Sequence, residues 1–145
     1  MQNMKNKLFL SQRDIKGIIN KQQSQVIRHA KNKIIIDYIV SLIGKQLNIK
    51  EHYFIHNNII KYNASEKPTG EYKQFNAADM PDNLVRLTLN IEHVEVKPLS
   101  DLTDDDAKRH GIESREKLIK KYCSIKDIKE TDNVLIFNFT HTLRE

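Results

Sequence analysis

Between positions 16 and 33 the chain gathers Lys16, Lys21, Arg28, His29, Lys31 and Lys33, interleaved with Gln22, Gln23, Ser24, Gln25 and Asn32. Cations hold phosphates and amides read base edges, so the mixture points to a nucleic-acid contact. In that contact Arg28 and Lys21 hold the backbone, while Gln23 and Ser24 face a base or nucleotide. Tyr53, Phe54, Tyr62, Tyr72 and Phe75 offer platforms for unstacked bases, although each also fits a core or half-buried place. Six histidines stand at 29, 52, 56, 93, 110 and 141. His29 and His110, if they face one cleft with Arg28, have the chemistry for acid–base work on a phosphodiester; otherwise each is a surface or loop histidine.

Other constellations are thinner. His52 and His56 are four apart and follow Glu51, but nothing completes a ligand set, so no metal and no cofactor is expected. Cys123 stands alone among Lys120, Lys121 and Lys126, which would favour its thiolate, yet no base is paired with it. A single cysteine also excludes an internal disulfide and fits a reducing, cytoplasmic setting.

The chain that must position these groups has 145 residues, 39% hydrophobic and 30% charged. That is one globular domain with enough length for an ordinary core. Four Gly and three Pro exclude collagen-like and low-complexity classes. The longest apolar stretch, 34–43, is broken by Asp37 and Ser41 and is far below the ~18 residues of a spanning helix, so no membrane partner is expected. The net charge is +5, with 24 Lys and Arg against 19 Asp and Glu. Residues 1–75 hold 13 of the cations and 5 of the acids, leaving 11 and 14 for the rest. A basic half on a small domain is the footprint of a polyanion binder.

Patterning predicts the elements. Residues 7–10 read as a first strand. A Ser11-capped helix follows over 13–20, with Ile15, Ile18 and Ile19 on one face. A strand over 24–29 comes next. Apolar positions 35, 36, 39, 40, 43 and 47 predict a helix over 34–47. Strands at 52–55 and 59–62 meet at Asn57-Asn58, a hairpin turn. Residues 63–83 read as a long loop with one short strand near 71–75. The strand over 84–96 slips phase at Glu92-His93, which predicts a bulge. Thr103 with Asp106 resembles a capping box, Gly111 closes that helix, and Ser114 caps another to about Tyr122. Positions 134–139 form a last strand, buried on both sides because Ile136 faces away from Phe137 and Phe139. The expected class is α+β: a small bent or closed β-barrel flanked by helices, in one domain over 1–145 with an insertion at about 34–83.

Leu102, Thr103, Asp106, Ala107, Gly111, Ser114, Leu118, Tyr122, Ile136 and Phe139 together resemble the pattern of the ASCH domain, of the PUA-like superfamily. The likeness covers roughly residues 5–29 and 84–140. The family's early signature is Gly-x-Lys-x-x-(Glu/Thr)-x-Arg; anchored on Arg28 its positions fall on Lys21, Gln23 and Val26, so only the arginine is kept. The resemblance implies RNA as partner. It implies an N4-acetylcytidine amidohydrolase only where a Lys/Thr/Glu trio is present, and here those positions hold Gln23, Val26 and His110. Glutamine is no base and valine no nucleophile, so the expectation leans away from an enzyme. Two other readings stand beside RNA binding. One is an enzyme on RNA or modified nucleosides, a ribonuclease or a diverged amidohydrolase. The other is a protein partner docked on the insertion. The wealth of Lys, Ile and Asn suggests an AT-rich coding source such as a low-GC bacterium or its phage, and a phage origin favours docking on a host factor.

Overall fold

Ser11 opens the first helix by accepting the Asp14 N–H (3.1 Å), and Ile15 and Ile18 turn inward along α1 (Gln12–Ile19). Residues 9–125 and 127–144 are described by the computed structural model. Half of the expected strand at 7–10, positions 7 and 8, lies outside them; of the rest, Phe9 makes one parallel bridge to Lys50. Lys21 then takes a left-handed turn (φ 60°) that swings the chain into β1 (Gln25–His29).

The Asn32 side chain accepts the Ile35 N–H (3.0 Å) and starts α2 (Lys33–Val40). This helix does not run on to residue 47, as the apolar spacing predicted. Residues 41–44 form a turn, Gly44 adopts φ 79°, and its N–H reaches the Ile91 carbonyl (2.8 Å). The chain returns as β2 (Gln46–Ile49), where Leu47 and Ile49 are buried at strand spacing. β3 (Tyr53–His56) and β4 (Ile59–Tyr62) then form the expected hairpin, with Asn57 and Asn58 both left-handed (φ 52° and 65°). The short strand expected near 71–75 within the loop is β5 (Lys73–Phe75), which pairs with the other side of β3.

The long strand β6 (Leu87–Pro98) buries Leu87, Leu89 and Ile91 and shifts register between Ile91 and His93, where the phase slip stood. Thr103 and Asp106 form a full capping box on α3 (Asp104–Arg109), and Gly111 (φ 77°) leads to α4 (Arg115–Ile125). β7 (Asn133–Leu143) closes the described chain.

Four strands form an antiparallel sheet in the order β1-β7-β6-β2, and three more the order β4-β3-β5. The larger sheet curls into a half-barrel with helices on both faces, an α+β fold. β7 shows why both faces are filled. Leu135 and Phe137 pack with Ile15 and Ile18 of α1, whereas Val134 and Ile136 pack with Leu102, Leu118 and Tyr122 on the α3–α4 side. Each such side chain contributes about 1.5–3 kcal/mol by leaving water. Residues 34–83 supply α2, β2 and the smaller sheet, and β2 belongs to the larger sheet through its pairing with β6. Arg86 ties the sheets together: it grips Glu51 through two 2.9 Å bonds and lies 4.1 Å over the Tyr62 ring.

Candidate nucleic-acid interface

The turn between α1 and β1 is held by backbone bonds to three places. Gln22 N–H donates to Gly17 O (2.8 Å), Ser24 N–H to Arg109 O (2.8 Å), and Phe139 N–H to Ser24 O (3.2 Å). Gly111 permits this approach, since a Cβ there would stand 3.3 Å from the Gln22 carbonyl. Around the clamped turn lie two depressions. One, of about 410 Å³, is walled by α1 through Gln12, Arg13, Lys16, Gly17 and Asn20, and by Gln22, Gln23 and Gly111. The other, of about 360 Å³, is walled by Lys21, Ser24, Lys108, Arg109 and His141, again with Gln22 and Gln23. The shared glutamines make them neighbours.

Five cations from three segments border this double cleft. Arg13 is partly neutralised by Asp14 (3.1 Å) and Arg109 by Asp105 (3.0 Å). Lys16, Lys21 and Lys108 enter no ion pair among the described residues. Such unpaired cations are held apart from acids at little cost in water and are free to meet an anion.

Beneath the cleft lies a buried polar network. Gln23 donates from one amide nitrogen to Asp14 (2.8 Å) and to the Gln25 carbonyl (3.1 Å). Arg13 donates to Asp14 (3.1 Å) and to the His110 carbonyl (3.0 Å). His110, 1% exposed, directs Nδ1 to the Gln25 carbonyl (3.3 Å), which requires the proton on Nδ1. Its Nε2 lies 3.1 Å from the Tyr122 hydroxyl, which also reaches the Ile27 carbonyl (3.2 Å). Burial first, then the Arg13 and Lys121 cations, push the imidazolium pKa down to about 4, against the pull of Asp14. Burial raises the Tyr122 hydroxyl, and Asp14 adds to it. Asp14 itself is pulled up by burial, but the Gln23 bond and the neighbouring charges leave it below the ordinary carboxylate value. The network thus holds a carboxylate, a neutral imidazole and a phenol. Gln25 Oε1 and Asn138 Oδ1 are buried nearby without a hydrogen-bond partner among the described residues, at opposed positions of β1 and β7.

The residues singled out in the sequence divide between two places. Lys16, Lys21, Gln23 and Ser24 border the cleft. Gln23 does so while its amide nitrogen serves the network, so it is a wall of the cleft rather than a free reader of bases. Arg28 donates to the Phe9 carbonyl (2.6 Å). His29 stands 3.9 Å from Asp132, Lys31 is exposed past the end of β1, and Lys33 binds Asp37 (2.6 Å). His29 stands at the far end of β1, about 13 Å along the strand from Gln25 at 3.3 Å per residue, with Lys31 and Lys33 beyond it, whereas the Arg28 charge still acts on Asp14 and Tyr122 of the network. His29 and His110 therefore do not meet over one cleft: the first is at the other end of the strand and the second is under the floor. Gln22, named among the interleaved amides, borders both depressions, whereas sequence spacing passed over Gln12, Arg13, Asn20, Lys108, Arg109 and His141 as site residues. Arg13, Lys16 and Asn20 follow helical spacing and were legible as one face of α1. Lys108, Arg109 and His141 arrive by tertiary contact and leave no local signal.

The aromatic residues sit elsewhere. Tyr53 stacks on Phe75 at 4.8 Å, Phe54 is buried with Tyr72 against its ring, and Tyr62 donates to Leu84 O. None lines either cavity. Glu51 is taken by Arg86, His52 accepts the Ala77 N–H (3.2 Å), and His56 meets the Glu71 carbonyl (2.8 Å). Among the described residues no group of three or more His, Cys, Asp or Glu is placed to hold a metal ion. Cys123 is half-buried against the apolar cluster under α4. No helix among the described residues is long and apolar enough to cross a membrane. No protein-family profile, curated protein or solved structure matches the chain.

Proposed function

We propose that the chain binds nucleic acid, RNA ahead of DNA, along the double cleft at the α1–β1 turn. The observation that carries this reading is the convergence of Arg13, Lys16, Lys21, Lys108 and Arg109 on two adjoining depressions. Cations drawn from α1, its following turn and α3 fit a backbone with one charge per nucleotide. Gln12, Asn20 and Gln22 add neutral donors and acceptors between them. With no aromatic platform in the walls, the contact is directed at phosphate and sugar more than at stacked bases. The preference for RNA rests on the likeness of residues 102–122 to the ASCH pattern. In this reading the domain is a binder, since the family's amidohydrolase positions hold Gln23, Val26 and His110.

Fluorescence anisotropy tests it with short single-stranded RNA, double-stranded RNA and DNA, each at two salt concentrations. The expected result is micromolar or tighter binding of single-stranded RNA that weakens as salt rises. Lys16→Gln with Lys21→Gln should weaken it at least about tenfold and flatten the salt slope by about two. No binding of any strand at low salt overturns the reading.

A further inference from the structure

The two halves of the cleft are not alike. In the Lys21 half, three cations stand with the Ser24 hydroxyl and the His141 ring around one depression of about 360 Å³. Among the described residues only Asp105, bound to Arg109, offsets them, which leaves a formal charge of +2. In the other half, Arg13 and Lys16 are offset by Asp14, leaving +1, and the remaining polar wall is amide. An internal phosphodiester carries a single charge on two free oxygens. A terminal phosphomonoester carries about −1.5 to −2 near neutral pH on three strong acceptor oxygens. The Lys21 half matches the second in both charge and number of donors.

His141 reaches this half because of the topology. β1 pairs with β7 only from Gln25–Asn138 to His29–Val134, while β7 runs on with β6 to Leu143. Beyond Asn138 the flank that β1 would have covered is left to the α1–β1 turn. His141 lies there on the strand face of Phe139, beside Lys21 and Ser24. Its ring supplies at least one N–H donor in either protonation state.

From this asymmetry we propose that the cavity of Lys21, Ser24, Lys108, Arg109 and His141 seats a terminal phosphomonoester of the bound strand. The adjoining nucleotide then passes over Gln22 and Gln23 into the Arg13–Lys16 cavity. The inference rests on the nucleic-acid reading and narrows its ligand to a phosphorylated strand end.

Its test is a set of anisotropy titrations with one RNA sequence in three forms: unphosphorylated, 5′-phosphorylated and 3′-phosphorylated. A 5′-mononucleotide serves as competitor. One phosphorylated form should bind about tenfold tighter than the unphosphorylated strand, since charge-assisted bonds of this kind are worth on the order of tenfold each. Which form gains identifies the end. The mononucleotide should compete at least about tenfold less well than that strand, because it leaves the second cavity unfilled. In Lys108→Gln/His141→Gln the preference should fall to within about twofold, and the exposed single change Lys108→Gln should reduce it on its own. Equal binding of all three forms overturns the inference and leaves the nucleic-acid reading standing. A mononucleotide that competes as well as the strand overturns the strand-end assignment. Absence of binding by every form at low salt overturns the nucleic-acid reading itself.

Discussion

His110 keeps its ring neutral by position. Its Nδ1 proton is spent on the Gln25 carbonyl, and its Nε2 faces Tyr122, with Arg13 at 3.5 Å and Asp14 close enough to act through its charge. An imidazolium there would be buried next to Arg13 and Lys121, so protonation is disfavoured down to about pH 4. The unfolded chain takes up that proton near 6.5, so between those values the unfolded state binds more protons and stability falls as pH falls. The full span corresponds to about 3 kcal/mol, at 1.36 kcal/mol per pH unit. Asp14, lowered below 3.8, adds its own loss only at still lower pH. Urea unfolding at pH 7 and pH 4.5 should therefore show wild type losing stability that His110→Gln does not lose. The variant should be weaker by about 1–3 kcal/mol at pH 7, where it disturbs the buried bonds, and the gap should narrow at pH 4.5. A gap that is constant across this range would show that His110 takes up its proton in the fold as readily as in the unfolded chain.

Helix α1 carries the cleft and the network at once, and Gly17 is where the two demands meet. A Cβ on Gly17 would stand 2.5 Å from Gln23 Oε1 and 3.2 Å from Gln23 Cβ. Alanine in a helix interior normally adds up to about 1 kcal/mol over glycine. Here it must displace a side chain anchored to Asp14 and to the Gln25 carbonyl. Gly17→Ala should thus destabilise by about 1–2 kcal/mol in urea unfolding, because two buried bonds outweigh one helix preference. A stabilised variant would mean that Gln23 repacks without loss. Other elements show what their own residues can signal. Thr103, Asp106 and Gly111 announced α3 correctly because a capping box and a left-handed stop are local chemistry. The Asn57-Asn58 hairpin was legible for the same reason. The end of α2 was not, because Ile43 and Leu47 continue a helical spacing that Ile35, Ile36, Ile39 and Val40 begin. Gly44 and the alternation of Leu47 with Ile49 held the contrary signal, and the pairing of β2 with β6 decides between them.

At the scale of the molecule, charge counted along the chain and charge counted in space disagree. The first 75 residues hold the surplus of cations, and that surplus suggested a single patch from Lys16 to Lys33. The fold breaks the patch by laying β1 between its ends. It then repairs the near end with Lys108 and Arg109, which belong to the acidic half of the sequence. Asp104, Asp105 and Asp106, which give that half its sign, are placed at the start of α3, where the helix dipole favours them. Asp106 is further spent on Lys97 (3.1 Å). The acids thus cap the helix while its last turn presents cations to the turn before β1. Two double variants separate the two ways of counting. Lys31→Gln/Lys33→Gln removes two charges from the basic half but none from the cleft, and RNA affinity should stay within about twofold at moderate salt, where distant charges are screened beyond ~10 Å. Lys108→Gln/Arg109→Gln removes two charges from the acidic half, yet affinity should fall by about tenfold or more with a shallower salt slope. The opposite ranking would place the contact at the far end of β1, around Lys31 and Lys33, and would return the site to where linear charge put it.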